Sequence, residues 1–176
     1  MFVVLTMPKG DMMEYCYKCG MKLENKFLEG EGMIPYCSHC EEYRFPVFST
    51  ACSMIVFNKT KDKILLIKQY NKDAYVLVAG YINIGESVEH TVIREVKEET
   101  GLDVIDLQFN KTEYFSKSNT LMINFSCIVD SENFVLNREV DEAKWFYIKD
   151  AYDHIMPCSL AKKFLKYYIS KNNIVF

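Results

Sequence analysis

No stretch of this 176-residue chain is apolar for long enough to cross a bilayer; the longest hydrophobic runs are strand-sized, and Phe2–Leu5 is too short for the core of a signal peptide. Internal repeats and low-complexity segments are also missing, so repeat arrays and disordered tails are set aside. Positive charge is not in excess. Lys and Arg number 21 against 24 Asp and Glu, a net charge of −3. In residues 1–48 five bases (Lys9, Lys18, Lys22, Lys26, Arg44) meet seven acids (Asp11, Glu14, Glu24, Glu29, Glu31, Glu41, Glu42), a net of −2 and the wrong sign for gripping a nucleic-acid backbone. The tail from Cys158 carries Lys162, Lys163, Lys166 and Lys171 without an acid, a pattern that fits a solvated helix face better than a phosphate site. With no leader and no span, the expected location is a reducing cytoplasm.

Cysteine, by contrast, is present seven times and is patterned. Cys16-Tyr-Lys-Cys19 and Cys37-Ser-His-Cys40 form two Cys-x-x-Cys pairs 17 residues apart, the spacing of a zinc ribbon. Four thiolates at tetrahedral distance would close a structural Zn²⁺ site and supply folding energy to a segment with little core of its own. The alternatives are two disulfides, which the short x-x spacing would strain, or four unrelated thiols. His39, inside the second pair, reads as an exposed turn residue. Cys52, Cys127 and Cys158 stand alone in apolar or helical settings and are expected to be buried and inert.

The apolar fraction of the chain, 49 %, is enough for a full core in the residues beyond the paired cysteines. Strands are expected at 51–57, 63–69 and 75–79, a long hairpin at 104–115 and 121–129 around Ser116–Asn119, a further strand at 143–148, and a closing amphipathic helix at 159–170. Between them, residues 80–102 read as a glycine loop running into a helix. Ser87 is placed to cap it, Gly101 to end it, and Val92, Ile93 and Val96 to face a core. Glu95, Glu98 and Glu99 then share one outward stripe at i, i+3 and i+4. Like charges so close destabilise a bare helix, and a divalent cation is the natural reason to keep them together. Gly80 and Gly85 bracket the loop, where backbone can approach an ion or a phosphate. Arg94 is either a fork that holds a neighbouring carboxylate or an ordinary surface charge.

The same segment matches, position for position, the motif of the Nudix hydrolases: Gly80, five residues, Glu86, seven residues, Arg94-Glu95, Val96, Lys97, Glu98-Glu99, Thr100, Gly101, Leu102. That resemblance implies an α/β/α sandwich with a mixed sheet (residues 48–176) preceded by a small zinc ribbon (residues 1–47). It implies hydrolysis of a nucleoside diphosphate linked to another moiety, X, with Mg²⁺ or Mn²⁺. Glu95, Glu98, Glu99 and the Gly80 carbonyl would be ligands of that metal, with Glu95 or a glutamate from another loop taking the proton from water. Glu86 would orient Arg94 or the loop. The chemistry agrees, because carboxylate-held hard cations screen a diphosphate and acidify water.

A ribbon followed by this motif is similar to one branch, the NAD(H) pyrophosphatases, which also act on NAD-capped RNA. Agreement runs from Cys16 to about Tyr168 and includes Phe45-Pro46, Tyr81, Arg138-Glu139, Glu142-Ala-Lys-Trp145 and Leu160-Ala-Lys-Lys163. By that resemblance Phe45 and Tyr81 would sandwich the adenine, sometimes across a homodimer; Ala161 would touch substrate and Glu139 would complete the metal cluster. The branch's Ser-Gln-Pro-Trp-Pro-Phe-Pro segment is replaced here by Phe115-Ser-Lys-Ser-Asn-Thr-Leu-Met122, which opens X to ADP-ribose and other nucleoside diphosphate derivatives. The partner expected is thus a small nucleotide; no membrane is involved, and nucleic acid enters only as a capped RNA end. Two alternatives to a hydrolase are a non-catalytic nucleotide sensor of the same fold and a zinc-ribbon interaction protein. Loss of motif glutamates would favour the first and a basic ribbon the second; the sequence has neither.

Overall fold

Period-two alternation builds the central sheet. In β4 (Ser49–Phe57), Cys52, Met54 and Val56 point to one side and Ile55 and Phe57 to the other; β5 (Lys63–Gln69) repeats this with Leu65 and Ile67 against Ile64 and Leu66. Strands that are apolar on both faces need helical cover on both. The structure, a computed structural model, describes residues 13–175; Phe2–Leu5 lies outside them. It divides into two compact units between Val47 and Phe48.

The first unit is a three-stranded antiparallel sheet of β1 (Glu24–Leu28), β2 (Gly32–Cys37) and β3 (Glu42–Tyr43), in that order. Among its described residues only Cys16, Cys37 and Arg44 are fully buried, so its interior is sulfur and one guanidinium rather than a hydrocarbon core. These strands lie between and beside the cysteine pairs, where sequence periodicity gave no sign of them.

The second unit continues from β4 and β5 through β6 (Val78–Tyr81), α1 (Val88–Thr100), β7 (Val104–Phe115), β8 (Thr120–Val129), β9 (Val140–Tyr147), α2 (Ile148–His154) and α3 (Leu160–Lys171). The sheet order is β7-β8-β4-β5-β9. β4 runs parallel to β8 and antiparallel to its other partners, so the sheet is mixed. One edge of β4 is shared: residues 51–54 pair with β6 and residues 56–57 with β5. Val92 and Val96 of α1 cover one face together with Leu102, and Ala151 of α2 with Phe164 and Leu165 of α3 cover the other. The α/β/α sandwich expected from the resemblance is what forms.

Some local expectations are corrected. The strand foreseen at 75–79 is shifted: Val76 makes only a bridge to Ile67, and the regular ladder starts at Val78. The short helix α2 carried no sequence signal. Cys158 is exposed, not buried, whereas Cys52 and Cys127 are enclosed and their thiols are pushed up to about 12 by burial. Among the described residues no helix is long and apolar enough to cross a membrane.

Candidate active site and cysteine centre

Local rules place α1. The Ser87 hydroxyl accepts the His90 N–H at 3.2 Å, and Gly101, at φ 71°, returns its N–H to the Lys97 carbonyl at 2.9 Å, so both ends are satisfied by the residues that the sequence suggested. The apolar arc is narrower than expected: Val92 and Val96 are buried, but Ile93 is 42 % exposed.

Arg94 is a fork. Its Nε and Nη2 donate to the two oxygens of Glu86 at 2.8 and 2.9 Å, its Nη1 donates to Glu95 at 2.6 Å and Glu98 at 3.1 Å, and Nη2 also reaches the Tyr81 carbonyl at 3.1 Å. A planar five-donor group can bind three carboxylates in this way; a lysine cannot. Arg94, helped by the Thr91 hydroxyl, holds the Glu86 carboxyl down at about 2, so it stays charged across the neutral range.

The acidic stripe does not all face outward. Glu98 is exposed, but Glu95 is largely covered and Glu99 is only 3 % exposed. Glu95 lies against Gly80, where a Cβ would fall inside its carboxylate, so only glycine leaves room for it. Glu99 accepts a hydrogen bond from Gln69 Nε2 at 2.8 Å through one oxygen, and its other oxygen, Oε2, is buried without a partner. Burial pushes the Glu99 carboxyl up to about 7 against the pull of Gln69, and the charges of Glu95, Glu139 and Glu98 add to the rise. Glu95 is raised too, first by burial, despite Arg94. Glu139, in the turn before β9, thus belongs to the same electrostatic neighbourhood.

The structure therefore gathers Gly80, Tyr81, Glu86, Arg94, Glu95, Glu98, Glu99 and Glu139. Tyr81 is 60 % exposed. Ala161 is not brought to this group: it packs in the core under α3, on the sheet face opposite α1. Phe45 belongs to the first unit and is half exposed. Gln69, Tyr70 and Thr91 were missed. Nothing in their own sequence context marks them; Gln69 and Tyr70 matter because β5 ends beside the last turn of α1, and Thr91 because its hydroxyl donates to Glu86 at 2.8 Å. The Tyr70 phenol is raised by partial burial and by the carboxylates of Glu139, Glu99 and Glu95.

Do these residues suit a hard cation? A buried carboxylate oxygen of Glu99 with no hydrogen-bond partner, near the Glu95 carboxylate whose charging is also disfavoured by burial, is what an oxygen-seeking divalent ion would satisfy. The hydrogen-bond donors to these carboxylates are Arg94, on Glu95 and Glu98, and Gln69, on Glu99. Among the described residues only the cysteines place three or more ligand atoms within 4.8 Å of one another: Cys16, Cys19, Cys37 and Cys40. Their Sγ atoms pair at 4.0 Å (Cys16 and Cys40) and 3.5 Å (Cys19 and Cys37), all four are free thiols, and His39 stands exposed outside the cluster. Four soft donors at this separation fit a tetrahedral Zn²⁺ better than a hard ion. Burial raises the Cys16 thiol, but Arg44, whose Nε donates to the sulfur at 3.2 Å, and backbone donors outweigh it and bring it down to about 6.

Comparison with known proteins agrees with this geometry. The NUDIX domain family model matches residues 48–167. The NAD-capped RNA hydrolase NudC of Pseudomonas aeruginosa is 28 % identical over 166 residues, covering 90 % of this chain and 56 % of that protein. NudC of Escherichia coli is 31 % identical over 140 residues, covering 78 % and 52 %. The chain spans about half the length of these curated relatives. In fold it resembles a NUDIX hydrolase from Nitrosomonas europaea (TM-score 0.67, 18 % identity, 92 % of this chain and 93 % of that one). The NUDIX domain of Shewanella oneidensis NrtR, solved with ADP ribose, is also similar (TM-score 0.61, 17 % identity, 78 % and 94 %).

Proposed function

This chain belongs to the NUDIX domain family, and from that premise we propose that it is a metal-dependent pyrophosphohydrolase cleaving the diphosphate bond of an NAD(H)- or ADP-ribose-like nucleotide. The observation that carries the reading is the buried, unpartnered Oε2 of Glu99, whose carboxyl feels the charges of Glu95, Glu139 and Glu98. Glu95, Glu98, Glu99 and Glu139 would hold Mg²⁺ or Mn²⁺ through their carboxylate oxygens, with the Gly80 carbonyl as a further oxygen ligand. Such an ion, when bound, screens the diphosphate and acidifies water. Arg94 keeps Glu95 and Glu98 in position while anchored on Glu86 and on the Tyr81 carbonyl. Glu95, or Glu139 from its turn, receives the proton of the attacking water, and the exposed Tyr81 ring offers a face to the base.

The names of the curated relatives support an NAD-like substrate. The 115–122 segment supports a smaller X, because here it is the tight end of the β7–β8 hairpin, with a 3-10 turn at Ser116–Ser118. The four cysteines hold a structural Zn²⁺, with no open position for chemistry.

With Mg²⁺ or Mn²⁺, a panel of NAD⁺, NADH, ADP-ribose, FAD and nucleoside triphosphates separated by chromatography should yield AMP from NAD(H) or ADP-ribose. Cleavage of triphosphates alone would reject the substrate class. Gly80→Ala is expected to displace the Glu95 carboxylate and lower kcat about 10- to 100-fold with the circular dichroism spectrum retained; unchanged turnover would mean that Glu95 does not need its place on Gly80.

A further inference from the structure

The turn after β5 is built against its own local preferences. Tyr70 and Asn71 both have positive φ, 57° and 56°, and the Lys72 N–H closes on the Gln69 carbonyl at 3.1 Å, the pattern of a primed hairpin turn. Such turns favour Asn, Asp or Gly at both central positions; a bulky aromatic at the first of them is strained. Asn71 suits its place, and Tyr70 does not.

The strained residue is held on one side by the acidic site and on the other by the start of β9. Immediately before it, Gln69 grips Glu99; immediately after it, the Asn71 N–H donates to Asp141 at 2.7 Å, two residues beyond Glu139. Its ring is 65 % exposed and contributes nothing to either core cluster. A large apolar surface kept at an energetic cost, in water, on the rim of a carboxylate cluster has no use in folding. Tyr81 borders the same cluster through Arg94, Tyr70 through Gln69 and Glu99.

We propose that Tyr70 is a substrate-positioning residue whose exposed ring stacks on the nucleobase of a nucleoside phosphate bound at the carboxylate cluster. The assignment rests on the nucleotide reading of the site and extends it to a residue outside the family motif. Stacking uses the ring face and not the hydroxyl, so phenylalanine serves equally; asparagine, at ease with positive φ, relieves the turn and removes the face.

The test is calorimetric titration of the 176-residue wild-type chain, Tyr70→Phe and Tyr70→Asn with Mg²⁺ and AMP, which has no diphosphate bond to cleave, and with ribose 5-phosphate, which has no base. Tyr70→Asn should bind AMP about 10-fold more weakly than wild type, bind ribose 5-phosphate equally well, and melt about 2–4 °C higher. Tyr70→Phe should match wild type in both titrations. The assignment is overturned if Tyr70→Asn binds AMP as tightly as wild type, if Tyr70→Phe loses the same affinity, or if wild type does not prefer AMP to ribose 5-phosphate. Ring-dependent AMP binding in a protein that cleaves no diphosphate would sink the hydrolase reading while leaving Tyr70 in its role.

Discussion

Glu99→Gln is expected to lower kcat by about 10²- to 10⁴-fold and at the same time to make the metal-free protein more stable above neutral pH. Both effects come from one atom. The buried Oε2 has no hydrogen-bond partner, so its negative charge is costly in the metal-free fold and useful only when a cation lies against it. The sign of the pH effect comes from the raised carboxyl. In the unfolded chain Glu99 releases its proton near 4.5, in the folded chain near 7. Between those values the folded state binds more protons, so its stability falls as pH rises from about 4.5, and the whole loss, on the order of 3 kcal/mol, is in place above about pH 7. Glutamine does not titrate. Melting curves of wild type and Glu99→Gln should coincide near pH 4 and diverge by pH 8, with Mg²⁺ or Mn²⁺ restoring wild type but not the variant. Exposed Glu98 provides the contrast: Glu98→Gln should also lose turnover by orders of magnitude, yet melt as wild type does. Full activity in either variant, or parallel melting curves for Glu99→Gln and wild type from pH 4 to 8, would contradict this account.

Stripping metal from the cysteine cluster is expected to unfold residues 13–47 and leave the second unit intact. Among its described residues the first unit buries Cys16, Cys37 and Arg44 and no aliphatic side chain, so β1–β3 have no apolar interior among those residues to fall back on. A tetrahedral Zn²⁺ would supply on the order of 10 kcal/mol to such a segment. Limited proteolysis with mass spectrometry should show cuts throughout 13–47 after chelation, and the same cuts in Cys37→Ser without a chelator. A chelated protein whose β1–β3 segment stays resistant would show that the thiols are not what holds it together.

Sequence pattern disclosed most readily what is decided within a few residues. The helix α1 with its Ser87 and Gly101 caps, the alternation of β4 and β5, the β7–β8 hairpin and the spacing of the four cysteines all rest on local rules. The burial of Glu99 does not. Helical spacing puts it 40° from Glu95 on one stripe, and only the arrival of Gln69 at the end of β5 turns that part of the stripe inward. Ile93 shows the reverse, an apolar residue one step beyond the arc that the sheet covers. Tyr70 was invisible for another reason: a primed turn is recognised by glycine or asparagine pairs, and a tyrosine there hides it. Arg94 was recognisable as a fork or a surface charge, but the choice between them depends on Glu86, eight residues away across the loop.

The parallel ladder between β4 and β8 has a kinetic meaning. Ser49 lies opposite Thr120 and Phe57 opposite Ile128, so the seam at the middle of the sheet joins segments with three strands, β5, β6 and β7, and the helix α1 between them. Neighbouring hairpins can form early and alone, but this seam must wait for a large loop to close. During synthesis β4 therefore stays without its parallel neighbour until β8 has left the ribosome, and the growing chain shows its stickiest strand edge over that interval.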